Sequence, residues 1–311
     1  MTPALIRPTL ITCDWGTSSL RAYLMAADGQ VLATSASGQG IMALGGATFP
    51  EVLAAIAGKW ARDHGPLPVL LSGMVGSRQG WMEAPYARCP AGLPDLSAAL
   101  AEVPAQPGFG RIAIVPGVLK DDDTAPDVIR GEEVEVLGAL ARLGVADGLF
   151  VLPGTHSKWV RVEAGRIATF ATYMTGEVFA ALKGHTILGR MMEEGAFSTD
   201  GFRRGVEAAA ELEGPGAMLG RLFSLRALGL TGRLAGAHSA DMLSGLLIGA
   251  ELRDASAGEP FTLVANPALA SRYAEAATIL GLPHARAPEG CGPTGQHAVA
   301  KAAGFIAAGF I

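Results

Sequence analysis

The stretch ITCDWGTSSLRAYLM, Ile11 to Met25, decides how the rest of the chain is read. Its two ends, Ile11 to Cys13 and Leu20 to Met25, have the look of strands. Between them stand Asp14, Trp15, Gly16, Thr17, Ser18 and Ser19. A bland hairpin uses two turn residues, typically Asn-Gly or Asp-Gly. This turn is longer, and nearly every residue in it either hydrogen-bonds or lets another group approach the backbone. Glycine and hydroxyl residues in a tight turn expose successive N–H groups, which makes a cradle for an anion. A second turn, Asp28-Gly29, and a third strand, Val31 to Thr34, complete a β-meander.

The pattern returns half a chain later in LFVLPGTHSKWVRVEAGRIATF, Leu149 to Phe170. Gly154, Thr155, His156 and Ser157 repeat Gly-Thr-x-Ser after an apolar strand. A strand from Trp159 to Val162, a turn at Ala164-Gly165 and a strand from Ile167 to Phe170 follow. A period of about half the chain is too long for a solenoid and points to two related domains. Asp14 ends the first of these strands, whereas Leu152 holds the equivalent place in the second. One carboxylate suits a Mg²⁺ ion whose other ligands are phosphate oxygens and water. The first turn therefore reads as phosphate plus metal and the second as phosphate alone. Neither is a Walker A loop.

Composition narrows the classes. The chain has 311 residues, half of them hydrophobic, with 42 glycines and a net charge of −5. No basic run suggests a nucleic acid partner. No apolar stretch reaches the roughly 18 residues that cross a bilayer. Three cysteines and six histidines are scattered, without a disulfide framework or metal-ligand spacing. A cytoplasmic protein is the expectation, with a homodimer compatible with the sequence. Helices are expected at Pro50–Arg62, Glu132–Leu143, Ser239–Arg253 and Pro267–Leu280, and starting near Glu177, Thr199 and Gly216. Further strands are expected at Val69–Ser72, Arg111–Val115 and Phe261–Ala265. The segment Leu93 to Gly110, rich in proline and alanine, is expected on the surface, and AVAKAAGFIAAGFI as a packed helix.

The paired phosphate hairpins resemble those of the actin-like ATPases. CDWGTSSLRAYLM, LSGMVGSRQGWMEAPYARCPA, DVIRGEEVEVLGAL, LPGTHSKWV, YMTGEVFAALKGHTILGR and DMLSGLLIGAEL together resemble the 2-dehydro-3-deoxygalactonokinase family from about residue 10 to 252. The resemblance implies an α/β fold of two actin/hexokinase-like (ribonuclease H-like) domains, each opening with a three-strand meander, with a cleft between them. Residues 1–119 would carry the first turn and a sugar-acid loop; residues 120–311 would carry the second turn and the adenosine site. It implies phosphorylation of the terminal hydroxyl of 2-dehydro-3-deoxy-D-galactonate by MgATP. Another sugar acid, or polyphosphate hydrolysis on the same fold, is the alternative. The resemblance also implies an adenosine turn in LVANPALASRYAEAATILG, where Asn266 replaces an expected glycine or serine. Asparagine tolerates the left-handed conformation, so the turn is expected to survive.

Phosphoryl transfer requires a group to orient or deprotonate the attacking hydroxyl. Related sugar kinases place Gly-Asp at a helix start, and Gly131-Glu132 matches that place. Glu132 is the first candidate for the base, Asp127 the second and Glu133 the third; the helix macrodipole alone also favours acids there. A 2-keto acid requires a cation for its carboxylate, and a planar guanidinium binds it bidentately. Arg78 in SGMVGSRQGW and Arg130 before the proposed base are the candidates. Ser72 and Gly73 would let a small ligand approach, and Trp81 would cover its carbon chain.

Overall fold

The computed structural model describes residues 6–214 and 216–306. In chain order the elements are β1 (Pro8–Trp15), β2 (Leu20–Ala26), β3 (Val31–Ser37), α1 (Phe49–His64), β4 (Val69–Ser72), β5 (Tyr86–Arg88) and β6 (Ala91–Gly92). They continue with α2 (Leu93–Ala98), β7 (Ala101–Val103), β8 (Ile112–Ile114), β9 (Gly117–Lys120), β10 (Asp127–Ile129) and α3 (Glu132–Leu143). The second meander is β11 (Gly148–Leu152), β12 (Ser157–Glu163) and β13 (Arg166–Tyr173). It is followed by α4 (Thr175–His185), α5 (Thr199–Ala210), α6 (Ala217–Leu230), α7 (Gly236–Ser256), β14 (Phe261–Leu263), α8 (Pro267–Ile279), β15 (His284–Arg286) and α9 (Cys291–Ala302).

The chain divides into two compact units. The first takes the residues up to Asp147, Arg161–Phe170 and those from Pro288 on; the second takes Gly148–Val160 and Ala171–Ala287. These units follow packing, whereas the expected division at 119/120 lies just after the strand that closes the first half. Packing places α3 and α9 in the first unit.

In the first unit the sheet order is β3-β2-β1-β4-β8-β7. Antiparallel β1–β2–β3 is the meander, and β4 and β8 continue it in parallel. Leu10, Ile11, Thr12 and Cys13 are all fully buried. A central strand covered on both faces is a continuous apolar run rather than an alternating one. Trp15, Leu20, Leu53, Val69, Leu71 and Ile114 fill the core beneath α1. The second unit repeats this order, with β15 and β14 parallel to β11 and β12 next to it. Leu149, Val151, Trp159, Phe261 and Tyr273 form its core. The two units share one α/β plan.

Two expectations gain detail. Leu93 to Gly110 stays mostly at the surface but is ordered into α2 and β7, with Leu96 and Val103 buried. Pro94 lies in the first turn of α2, where a missing N–H costs nothing, and Pro104 follows the last residue of β7. The C-terminal helix starts earlier than AVAKAA, at Cys291, and residues 307–311 lie outside the described part. Among the described residues no helix is long and apolar enough to cross a membrane.

Candidate active site

Both Gly-Thr-x-Ser turns are braced in the same way. In the first unit the Gly16 N–H donates to the Ser19 carbonyl at 2.9 Å. The Ile41 and Met42 N–H groups donate to the carbonyls of Gly16 and Thr17 at 3.0 and 3.1 Å. Gly40 makes this approach feasible, because a Cβ there would lie 2.3 Å from the Thr17 carbonyl oxygen. In the second unit the Glu177 N–H donates to the Thr155 carbonyl at 3.0 Å, and a Cβ on Gly176 would lie 2.6 Å from the Gly154 carbonyl oxygen. The bracing segments, a turn after β3 in the first unit and the start of α4 in the second, hold the turn carbonyls. Thr17, Ser18 and Ser19 are exposed, as are Thr155 and His156. Main-chain N–H groups on such turns suit an anion. Gly40 and Gly176 escaped the sequence reading because they lie 24 and 22 residues beyond Gly16 and Gly154 in different local contexts.

The first unit gathers acids around its turn. Asp14 pairs with Arg21 across β1–β2 and with Ser72 across β1–β4. Burial raises the Asp14 carboxyl above its ordinary range; Arg21 opposes this and Glu132 reinforces it. Glu135, one turn along α3, is pushed up to about 8, by burial first and then by Asp14 and Glu132. Like charges packed this closely favour a bound cation, so the set fits Mg²⁺ held by Asp14 together with phosphate oxygens. Among the described residues no group of three or more His, Cys, Asp or Glu makes a metal site by itself.

Glu132 is the first residue of α3, half-buried, and its Oε2 accepts the Arg130 N–H at 3.0 Å. Glu133 points the other way and is fully buried, with Oε2 accepting the Gly131 N–H at 2.7 Å. Burial, and then Glu132, push its carboxyl up to about 8. Asp127 stays on β10, with Oδ1 accepting the Val128 N–H at 2.8 Å. Of the three base candidates, Glu132 is the one whose charge raises Asp14.

The two candidate arginines stand in different surroundings. Arg78 is exposed, 3.6 Å from an exposed Glu83 carboxylate. Arg130 is buried, with Nη2 donating to the Ala84 carbonyl at 2.9 Å and its guanidinium 4.3 Å over the Tyr86 ring. Its Nε and Nη1 have no hydrogen-bond partner. Trp81 is half-buried, stacked on Phe49 at 6.1 Å and edge-on to Trp15 at 6.4 Å, so it also holds this loop to the core. Ser72 is fully buried and its Oγ accepts from Gln296 Nε2 at 2.8 Å. Gly73 follows it and is so close to Gly131 that a Cβ on Gly131 would lie 3.2 Å from the Gly73 Cα. Gln296, Arg21, Glu133 and Glu135 thus join the site; only Glu133 was visible from sequence.

In the second unit His156 Nε2 contacts the Glu177 carboxylate. Ser157 is buried, with Oγ 2.9 Å from Tyr273 Oη, so it faces inward. Lys158, at the head of β12, is buried as well, its Nζ donating to the His156 carbonyl at 3.1 Å rather than reaching into solvent. Asn266 is not left-handed: with φ −60° and ψ 155° it is the N-cap of α8, its side chain accepting the Leu269 N–H. The turn survives through capping, which asparagine serves well. A cavity of about 120 Å³ lies here, lined by Gly154, Thr175, Phe179, Leu247, Arg272 and Tyr273 among others.

The chain matches the 2-keto-3-deoxy-galactonokinase family over residues 14–299. It is 38% identical over 276 residues to a protein of Rhizobium meliloti (strain 1021) named a probable 2-dehydro-3-deoxygalactonokinase, covering 86% of this chain and 89% of that one. It is 37% identical over 275 residues to the 2-dehydro-3-deoxygalactonokinase of Escherichia coli (strain K12), covering 87% and 90%. A Sinorhizobium meliloti crystal structure, provisionally described as a protein of that activity, superposes with a TM-score of 0.84 at 35% identity, covering 96% of this chain and 99% of that one. The chain belongs to the 2-keto-3-deoxy-galactonokinase family, a family of carbohydrate kinases.

Proposed function

We propose that the protein transfers the terminal phosphoryl group of ATP to the 6-hydroxyl of 2-dehydro-3-deoxy-D-galactonate, giving 2-dehydro-3-deoxy-6-phosphogalactonate, in the cytoplasm. The observation that carries this is the electrostatic coupling of Asp14 and Glu132 at the first Gly-Thr-x-Ser turn, with the buried Arg130, two residues before Glu132, keeping two donors without a partner. The names of the relatives support the substrate.

Thr17, Ser18 and Ser19 present main-chain N–H groups and hydroxyls to phosphate oxygens, Gly16 lets the phosphate approach the backbone, and Gly154, Thr155, His156 and Ser157 act through their main chain. Mg²⁺, when bound, neutralises charge on the transferred phosphate. Asp14 is the residue placed to hold it. Glu132 orients the 6-hydroxyl and takes its proton. Arg130, buried against Gly76 with two donors that have no partner, is the candidate to read the substrate carboxylate, and Ser72 and Gly73 let the acid approach. The cavity beside Tyr273, with Asn266 capping the neighbouring helix, accommodates the adenosine. Residues 1–119, with the first turn and the sugar-acid loop, and residues 120–311, with the second turn and the adenosine site, are the proposed domains.

A coupled ADP-release assay over a panel of sugars, aldonic acids and 2-keto-3-deoxy acids tests this. The expected outcome is activity with the galactonate derivative and little with neutral sugars. Phosphate release at the same rate without any acceptor would instead support the hydrolase reading.

A further inference from the structure

The second unit contains a buried carboxylate to which phosphoryl transfer gives no task. Glu251 on α7 is 3% exposed. Its Oε1 accepts from Trp159 Nε1 at 2.9 Å and its Oε2 from Tyr273 Oη at 2.8 Å. Thr175 hydrogen-bonds to the same carboxyl, and the Ser157 hydroxyl lies close to it. A buried carboxylate is tolerated where donors satisfy it. Stability alone is a weak reason to keep such a group, since well-packed apolar residues often serve as well.

The donors lie where a ligand site needs precision. Ser157 ends the second turn, Thr175 opens α4 beside it, and Tyr273 comes from α8. Thr175 and Tyr273 also line the cavity next to Gly154. Hydrogen counting gives the network a direction. The indole N–H only donates, so Oε1 accepts. Tyr273 has one proton and gives it to Oε2, so at its 2.9 Å contact it accepts from Ser157.

We infer that Glu251 is a positioning residue for the nucleotide: it anchors Ser157, and so the second Gly-Thr-x-Ser turn, against the cavity wall made by Tyr273 and Thr175. The inference rests on that turn being a phosphate cradle. Its effect is pre-organisation, which lowers the ordering cost when a phosphate binds.

Calorimetric titration of MgATP, and separately of 2-dehydro-3-deoxy-D-galactonate, tests this in wild type, Glu251→Gln, Tyr273→Phe, Ser157→Ala and the Glu251→Gln/Ser157→Ala pair. Glutamine keeps the shape, but its NH₂ forces Tyr273 to accept and reverses the network. The expected result is a Kd for MgATP raised about 10–10²-fold, the scale of one lost hydrogen bond to a charged group. Sugar-acid affinity stays at the wild-type value. The double variant is no weaker than Glu251→Gln, because both changes break one network. Trp159 emission shifts in Glu251→Gln. Tyr273→Phe gives the same selective loss and carries the test if Glu251→Gln does not fold. Unchanged MgATP affinity in these variants overturns the inference, as does an equal loss for both ligands, which general loosening would give. A wild type that binds the sugar acid but no MgATP overturns the phosphate reading itself, and the inference with it.

Discussion

Arg130 and Arg78 show how one residue type takes opposite roles within a single loop region. Arg78 keeps its charge in water beside Glu83, where ion pairs contribute little. Arg130 has given up most of its water and retains two unpaired donors. Arg130→Leu should therefore raise KM for the sugar acid about 10–10²-fold, from a charge-assisted bond of roughly 1.5–3 kcal/mol. Arg78→Leu should leave it near wild type, and KM for ATP should stay put in both. An analogue with the carboxylate reduced to an alcohol adds a control: wild type should reject it, and the Arg130 variant much less. Glu132→Gln should lower kcat by about 10²–10⁴ with nucleotide binding retained. Asp127→Asn should not, and the reverse result in steady-state kinetics would transfer the base role to Asp127. Asp14, Glu132, Glu133 and the turn hydroxyls could be named from sequence because each sits in a short motif with its own chemistry, whereas Glu135 becomes part of the set only through its packing beside Asp14. The choice between the arginines was not. It depends on Ala84 and Tyr86, more than forty positions away, wrapping one guanidinium and leaving the other in solvent.

At the scale of elements, α3 carries three glutamates in its first turn, as a helix N-terminus favours. Two of them are held in conditions a macrodipole does not offer. Glu133, with an ordinary value of 4.5, is pushed up to about 8 by burial. Its protonated form favours the folded chain. Its contribution to stability is fully present below about pH 4.5 and is lost as the pH rises toward 8. Thermal unfolding from pH 5 to 8.5 should show a falling Tm in wild type and a shallower fall in Glu133→Gln. The slope should not vanish, because Glu135 titrates in the same range. The α3 boundaries were legible from periodicity, but its neighbour was not. Helix α9 packs on α3 so closely that a Cβ on Gly138 would lie 1.8 Å from the Cys291 carbonyl oxygen. Gly138→Ala should destabilise by about 1–3 kcal/mol through overpacking, read from urea midpoints. No sequence window links Gln296 on α9 to Ser72, 224 positions earlier.

At the scale of the whole molecule, the repeat Gly16-Thr17-x-Ser19 and Gly154-Thr155-x-Ser157 was enough to read two related units, because each needs the same meander to present the same turn. How the chain is shared between them was not legible, since it is set by packing. The first unit is discontinuous: the residues from Gly148 to Ala287, apart from Arg161–Phe170, are inserted before its last helix. This gives the chain an order of birth. A ribosome making it N-terminus first releases Asp14 and Ser72 early, yet the amide that donates to Ser72 belongs to residue 296. A chain truncated after Ala287 should present a folded second unit and a protease-sensitive first one, seen by limited proteolysis of the purified fragment. The acceptor-side machinery is thus the last to mature, and a half-made chain has no finished place at which to turn over ATP.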